Sequence, residues 1–271
     1  MPAFPLLAVH ISDAMLTWPW QALGLILSAM VLGWSLYRIH EDEIPRIGIM
    51  AAVFFVSSLI HVRVGPSSVH LLLNGLVGLI LGRRAIVAIA VGLLLQALLF
   101  GHGGYLAIGV NLLVIGVPAL LAVPLFRSWI SDSYPSFRLR DGGLAISYLL
   151  YPPLMIGFTI VCIIRLLAEG DRRRPSLFRV GFVVGLLTVI LTATLNSIVL
   201  IVAGAYDWRV VAAVVWVVHI PLALIEGVIV GVVVTFLAKV KPEMLQGLGN
   251  TSSSGTSHWP MPTPMNNVPL R

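Results

Sequence analysis

Charge is scarce in this chain. Only 10% of its 271 residues are Asp, Glu, Lys or Arg, 58% are hydrophobic, and the mean hydropathy is +0.99. A soluble domain carries roughly a quarter charged residues, so a surface this poor in charge excludes a water-soluble globule and calls for lipid as solvent. Cysteine is nearly absent: a single Cys162, within an apolar run, excludes an intrachain disulfide framework and a cysteine-rich metal site. Acidic residues are the minority, 11 against 17 basic, for a net charge of +6. Among long apolar runs that excess reads as the basic loops of a membrane protein, and no nucleic-acid partner is expected. Catalytic signatures are missing as well. A glycine loop ending in lysine is absent, so the chain itself does not hydrolyse ATP; neither His-Glu-x-x-His nor Gly-x-Ser-x-Gly occurs. The start, Met1 to Ala8, lacks the basic region and long apolar stretch of a signal peptide.

What remains is a series of apolar segments. A membrane span needs about 20 mostly apolar residues, and a helix satisfies its own backbone in lipid. The candidates are 20–37, 47–62, 69–82, 85–100, 104–126, 178–204 and 209–238. The expected fold is therefore an all-α polytopic membrane protein with about seven transmembrane helices. The third and fourth spans are short and separated only by Arg83-Arg84, which predicts a tight helical hairpin. Small residues four apart, at Ala29/Gly33, Gly78/Gly82, Gly181/Gly185 and Gly227/Gly231, suit close helix approach. An apolar insertion at 142–164, broken by Tyr151-Pro152-Pro153, is either a re-entrant hairpin or an extra span. As a hairpin it leaves all but Arg63 and Arg209 of the 17 basic residues inside, with the N-terminus outside and the C-terminal tail cytoplasmic. The positive-inside bias favours that arrangement. From Pro242 the chain turns to Gly, Asn, Ser, Thr and Pro, the composition of a disordered tail over 242–271.

Ionisable and imidazole groups within a membrane are costly and so are candidates for function. His10 and Asp13 precede the first span. His61, Arg63, Ser67, Ser68 and His70 lie between the second and third, and His102 sits in the Gly101–Gly104 turn. Deeper lie Asn74, Gln96, Asn111, His219 and Glu226. Neutral imidazoles on a water-facing loop suit cobalt, nickel, copper or zinc, whereas magnesium and calcium want clustered oxygens. Plainer readings stand beside this one. His40, His61 and His102 also suit solvated loops, His219 before Pro221 suits helix packing, and Gln96, Asn111 and Glu226 suit ties within the bundle. Two other functions stay open at this point: binding of an organic micronutrient, and an intramembrane hydrolase using Ser67 or Ser68 with His70 or His102.

Three stretches resemble the CbiM/NikM family, the substrate-binding membrane subunits (S components) of energy-coupling-factor cobalt and nickel transporters. Val9-His10-Ile11-Ser12-Asp13-Ala14 is similar to the family's Met-His-Ile-x-Asp-Gly. Pro66-Ser67-Ser68-Val69-His70, then Gln96-Ala97-Leu98-Leu99-Phe100-Gly101-His102-Gly103-Gly104 and Asn111, resemble its Gly-Thr-Ser-x-His, Gln-Ala-Leu-Leu-Phe-x-x-Gly-Gly and following Asn. His219-Ile220-Pro221-Leu222-Ala223-Leu224-Ile225-Glu226-Gly227 resembles its last helix. The resemblance implies a subunit that captures cobalt or nickel from outside as transported substrate, with no bound catalytic cofactor and no enzymatic turnover of its own. It implies a transmembrane coupling subunit and cytoplasmic ATPase subunits as partners, with a small accessory membrane subunit. Its ligands would be an N-terminal amine, the amide and imidazole of the next residue, and a later histidine, which fall on Val9, His10 and His70. Ser67, Ser68 and Asp13 would orient them; His61, His102, Asn111, His219 and Glu226 are lesser candidates. Gly24/Ser28 and Ala29/Gly33 are candidate docking faces. The amine must be free, and eight residues precede Val9. A GTG codon reads as valine internally but as methionine at a start, so the expected protein begins at position 9, with 1–8 as an extension never made or removed. The transporter domain is then 9–241, with 142–176 as an insertion.

Overall fold

The computed structural model describes residues 11–64, 67–130, 176–242 and 244–245. The extension 1–8, Val9, His10, the segment 142–164 and the tail beyond 245 lie outside the described residues. Within them, seven α-helices and one β-hairpin follow in the order α1 (Trp18–Leu36), α2 (Ile44–Ser57), β1 (His61–Val64), β2 (Ser67–His70), α3 (Asn74–Leu81), α4 (Ala85–Phe100), α5 (Ile108–Ile130), α6 (Leu177–Ala203) and α7 (Arg209–Val240). Among the described residues five stretches are long and apolar enough to cross a membrane: Trp18–Leu36, Asn74–Phe100, Ile108–Arg127, Leu177–Ala203 and Arg209–Val240. Large apolar side chains such as Met30, Ile49, Val217 and Val232 point outward, which water would penalise and lipid does not. The chain is a helical multi-pass membrane protein, as its hydropathy predicts.

The expected third span, 69–82, is corrected. Residues 67–70 form a strand, and only 74–81 are helical. An apolar run does not by itself distinguish a buried strand from a helix; here Val69 and His70 pair with β1 instead of extending α3. The turn after α3 is a reversal. Gly82 has φ +55, which breaks the helix axis, so the 74–100 stretch reaches its length only when α3 and α4 are counted together. Asn74 and Gly78 meet Ile115 and Ala119, so α3 runs in the sense of α5, whereas α4 runs from Ile86 beside Gly116 back to Ala97, whose carbonyl Tyr105 reaches ahead of α5.

Two devices set the packing. Along α6 and α7, a Cβ on Gly181 would meet the Gly231 Cα at 2.9 Å, and one on Gly227 would meet the Phe182 carbonyl at 2.8 Å. The two small-residue pairs read from the sequence thus face each other across one seam. Gly24 does not serve as a docking face: its helix lies against α5 at Val110, and Ser28 is buried, so that expectation is corrected. Gly33 faces open space.

At the opposite end of the bundle from the β-hairpin, Arg84 is buried and ties three segments together. Its guanidinium donates to the carbonyls of Ser35, Tyr37 and Arg38, which end α1, and to the Glu43 carboxylate at 2.7 Å. Ser35 Oγ donates in return to the Arg83 carbonyl at 2.7 Å. Hydrogen bonds from Arg84 hold the Glu43 carboxyl below the usual carboxylate range.

Candidate metal centre

The segment entering α1 is not helical, and its backbone is satisfied by side chains from distant parts of the chain. Asn111, one turn into α5, accepts from the Ile11 N–H at 3.1 Å and donates to the Ile11 carbonyl at 2.8 Å and the Gly103 carbonyl at 3.2 Å. A carboxamide offers a donor and an acceptor side by side, so it pairs with an extended residue as another strand would. Asp13 lies over the start of α5, where its carboxylate accepts from the N–H groups of Tyr105, Leu106 and Ala107 at 2.7–3.0 Å. Gly104, at φ +68, leaves the space the carboxylate occupies. Met15 and Thr17 then bond to Ala205 and Ala203 between α6 and α7. The Gly103-Gly104 turn and the Ile11–Asp13 segment are therefore held together by Asn111 and Asp13.

The second strand brings His70 into the bundle. His61 pairs with His70, Val62 with Val69, Arg63 with Ser68 and Val64 with Ser67. His70 is 3% exposed, and its Nδ1 lies 3.1 Å from the Leu71 carbonyl. Beyond it, the N–H groups of Leu72 and Leu73 donate to the two carboxylate oxygens of Glu226 on α7, the second at 2.9 Å. Leu73 has φ +48, a strained conformation for leucine that these bonds help to hold. Asn74 follows, donating to the Ile115 carbonyl at 3.1 Å and to Thr192 Oγ1 at 2.9 Å.

The remaining candidates are placed as follows. Asn111 and Glu226 bind backbone, as just described. His102 is half-buried, its ring 6.0 Å from that of Phe100. His219 is buried on α7 with Nδ1 2.5 Å from the Val215 carbonyl; its Nε2, and both amide atoms of the buried Gln96, have no hydrogen-bond partner among the described residues. Ser67, Ser68 and His61 are placed by the hairpin register alone. Among the described residues no three His, Cys, Asp or Glu side chains form a metal cluster. His10, immediately before the clamped Ile11, lies outside them. Sequence reasoning missed Arg84 and Glu43 as partners; the signal was an Arg pair in a two-residue gap between apolar runs, which reads first as topology.

The chain as a whole is similar to known proteins. A family model described as "Cobalt uptake substrate-specific transmembrane region", CbiM, matches residues 10–150 and 143–244. A Haemophilus influenzae protein assigned by name to metal transport is 32% identical over 90% of this chain and 100% of its own length. The cobalt transport protein CbiM of Geobacter sulfurreducens is 26% identical over 95% of this chain and 67% of its own. A crystal structure of a transition metal transporter superimposes with a TM-score of 0.55 at 20% identity, covering 88% of this chain and 97% of that one, a likeness of fold. By the extent of the family match, and with a relative aligned over its whole length, this chain belongs to the CbiM family.

Proposed function

We propose that this chain captures a cobalt or nickel ion at its outer face, as the substrate-binding membrane subunit of an ATP-driven uptake transporter. One observation carries the reading. Ile11 and Asn74, each close in sequence to a histidine of the family's ligand set, are anchored on the same face of α5, at Asn111 and at the Ile115 carbonyl. Those two positions are one helical turn apart, about 6 Å along the axis. The anchoring of Ile11 and Asn74 one turn apart supports a common site for the histidines that lie near them in sequence.

The ligands are the amine of residue 9 where it is the first residue, the His10 amide and imidazole, and His70. Four nitrogens in a plane suit nickel(II). Asp13 serves by fixing the segment that carries His10, and Ser67 and Ser68 by their place beside His70. The transporter unit is 9–241. The basic residues Arg38, Arg46, Arg83, Arg84, Arg127, Arg179, Lys239 and Lys241 stand at or near helix ends opposite the β-hairpin, which supports an outward-facing site and a cytoplasmic C-terminus. ATP hydrolysis belongs to separate cytoplasmic subunits acting through a transmembrane coupling subunit, with a small accessory membrane subunit. A related protein of Archaeoglobus fulgidus is named as a fused nickel transport protein.

The test is metal content by plasma mass spectrometry after growth with cobalt and nickel. It is run on the full chain, on a version starting Met-His at position 9, and on that version with His70→Ala. About one equivalent in the short version alone, lost with His70, is expected from a four-nitrogen site. No metal in any version overturns the reading and leaves the membrane fold standing.

A further inference from the structure

Glu226 is fully buried in a membrane-spanning helix. Among the described residues its carboxylate meets two backbone N–H groups and forms no ion pair. A charge placed there is expensive, and all of its hydrogen bonding is directed at the end of the strand that carries His70.

The bonds run in series through one peptide unit. A carbonyl oxygen can only accept, so the contact between His70 Nδ1 and the Leu71 carbonyl, at 3.1 Å, places the imidazole proton on Nδ1. In a neutral ring the lone pair is then on Nε2, the form that binds a metal. The N–H of that same peptide is Leu72's, and it donates to Glu226 Oε1. A carboxylate drawing on the N–H polarises the peptide and makes its carbonyl a better acceptor. Metal-binding histidines commonly donate their second N–H either to a carboxylate or to a backbone carbonyl; here the two are linked.

We propose that Glu226 acts on His70 through the Leu71–Leu72 peptide, a carboxylate–peptide–imidazole relay that fixes the His70 tautomer and strengthens it as a ligand. The inference rests on His70 binding the metal, as the proposed function has it. Glu226 is a positioning residue and does not touch the ion. The simpler role, capping the start of α3, differs in one respect. A cap acts on the backbone at the start of α3 and leaves the His70 ring unchanged, whereas the relay is read at the His70 Nδ1–H.

The experiment uses the full chain and the version starting at position 9, in detergent, each with Glu226→Gln. Metal-free protein labelled with 15N-histidine reports the His70 ring by NMR, and titration with nickel(II) and with cobalt(II) reports affinity and the visible bands of the bound ion. The glutamine keeps one acceptor oxygen and sets an NH2 donor against the other N–H, so the unfolding midpoint falls whether Glu226 caps or relays. The relay alone predicts a weaker Nδ1–H hydrogen bond at His70, with metal binding weaker by about 10- to 100-fold and displaced bands. An unchanged His70 Nδ1–H signal overturns it. If the glutamine variant fails to fold, Glu226→Asp keeps the charge but shortens the reach; it is expected to weaken binding likewise, and wild-type affinity there also overturns the relay. Wild-type protein that takes neither metal sinks the proposed function instead, and the NMR result alone then decides the relay.

Discussion

Along the α6–α7 seam, two regular helices approach until glycine meets backbone, and side-chain bonds such as Trp216 to Thr194 join helices that already satisfy their own N–H and C=O groups. At residues 11–12, 71–73 and 101–107, regular structure stops and side chains take over: Asn111 for Ile11, Asp13 for residues 105–107, Glu226 for Leu72 and Leu73. In a membrane, water is not available to satisfy an unpaired backbone group. The comparison shows where side chains must stand in for regular backbone pairing. Asn111, Asp13 and Glu226 accompany the departures from helix, and one of those departures follows His70 directly.

The largest effect is expected at the seam. Gly227→Leu drives a side chain against the Phe182 carbonyl, which a Cβ alone would meet at 2.8 Å. Overpacking costs about 1–3 kcal/mol where neighbours can shift and more against backbone. Fluorescence-detected size exclusion should show most of the folded protein lost, with metal binding lost as a consequence. At the site end the order should reverse. Asn111→Leu leaves the buried N–H and carbonyl of Ile11 unpaired, at about 1–3 kcal/mol per buried group. Folded protein should survive with a lowered thermal midpoint, while metal affinity falls at least about tenfold. Equal losses of stability and binding in both variants would abolish the distinction between the two regions.

Smaller effects sharpen the contrast from the Arg84 end. The Glu43 carboxyl is held below its ordinary value of about 4.5 by the hydrogen bonds from Arg84. Its contribution is therefore present above that value and lost as pH falls through the lower folded one. Solvent reaches part of Glu43, with 35% of its side chain exposed, and screens the pair. Thermal midpoints should decline on acidification below about pH 4.5, and the decline should be shallower in Glu43→Gln, with metal affinity at neutral pH unchanged. The least effect is expected for Gly33→Ala, where a Cβ meets open space. Its midpoint in detergent should stay within about 0.5 kcal/mol of wild type or rise slightly with helix propensity.

Hydropathy located α1, α4, α6 and α7 to within two residues or so, because a lipid-spanning helix announces itself by length and apolarity. It failed at 69–82, where Val69 through Leu73 are as apolar as any helix yet pair as a strand or run irregularly. The Gly181/Gly185 and Gly227/Gly231 spacings were legible as a close-packing signal, but Gly24 faces α5 and not a partner, a matter of helix rotation that spacing does not fix. At the site, residue types were visible and partners were not. Asp13 and Ala107 are 94 residues apart, and Asn111 and Ile11 are 100 apart. Arg84 read as a topological marker because adjacent arginines suit a loop; only the three-dimensional arrangement shows its guanidinium among the α1 carbonyls.

The tie between Glu226 and Leu72 spans 154 residues and draws its acceptor from the last helix. During synthesis the β-hairpin is made and inserted long before α7 exists, so the strand end bearing His70 stays without its acceptor until almost the whole chain has entered the membrane. Domains assemble in the order in which they are made, and contacts this distant form late. The turn after β2 is therefore a record of completion: a chain stalled or truncated before α7 leaves the N–H groups of Leu72 and Leu73 without the carboxylate that holds them.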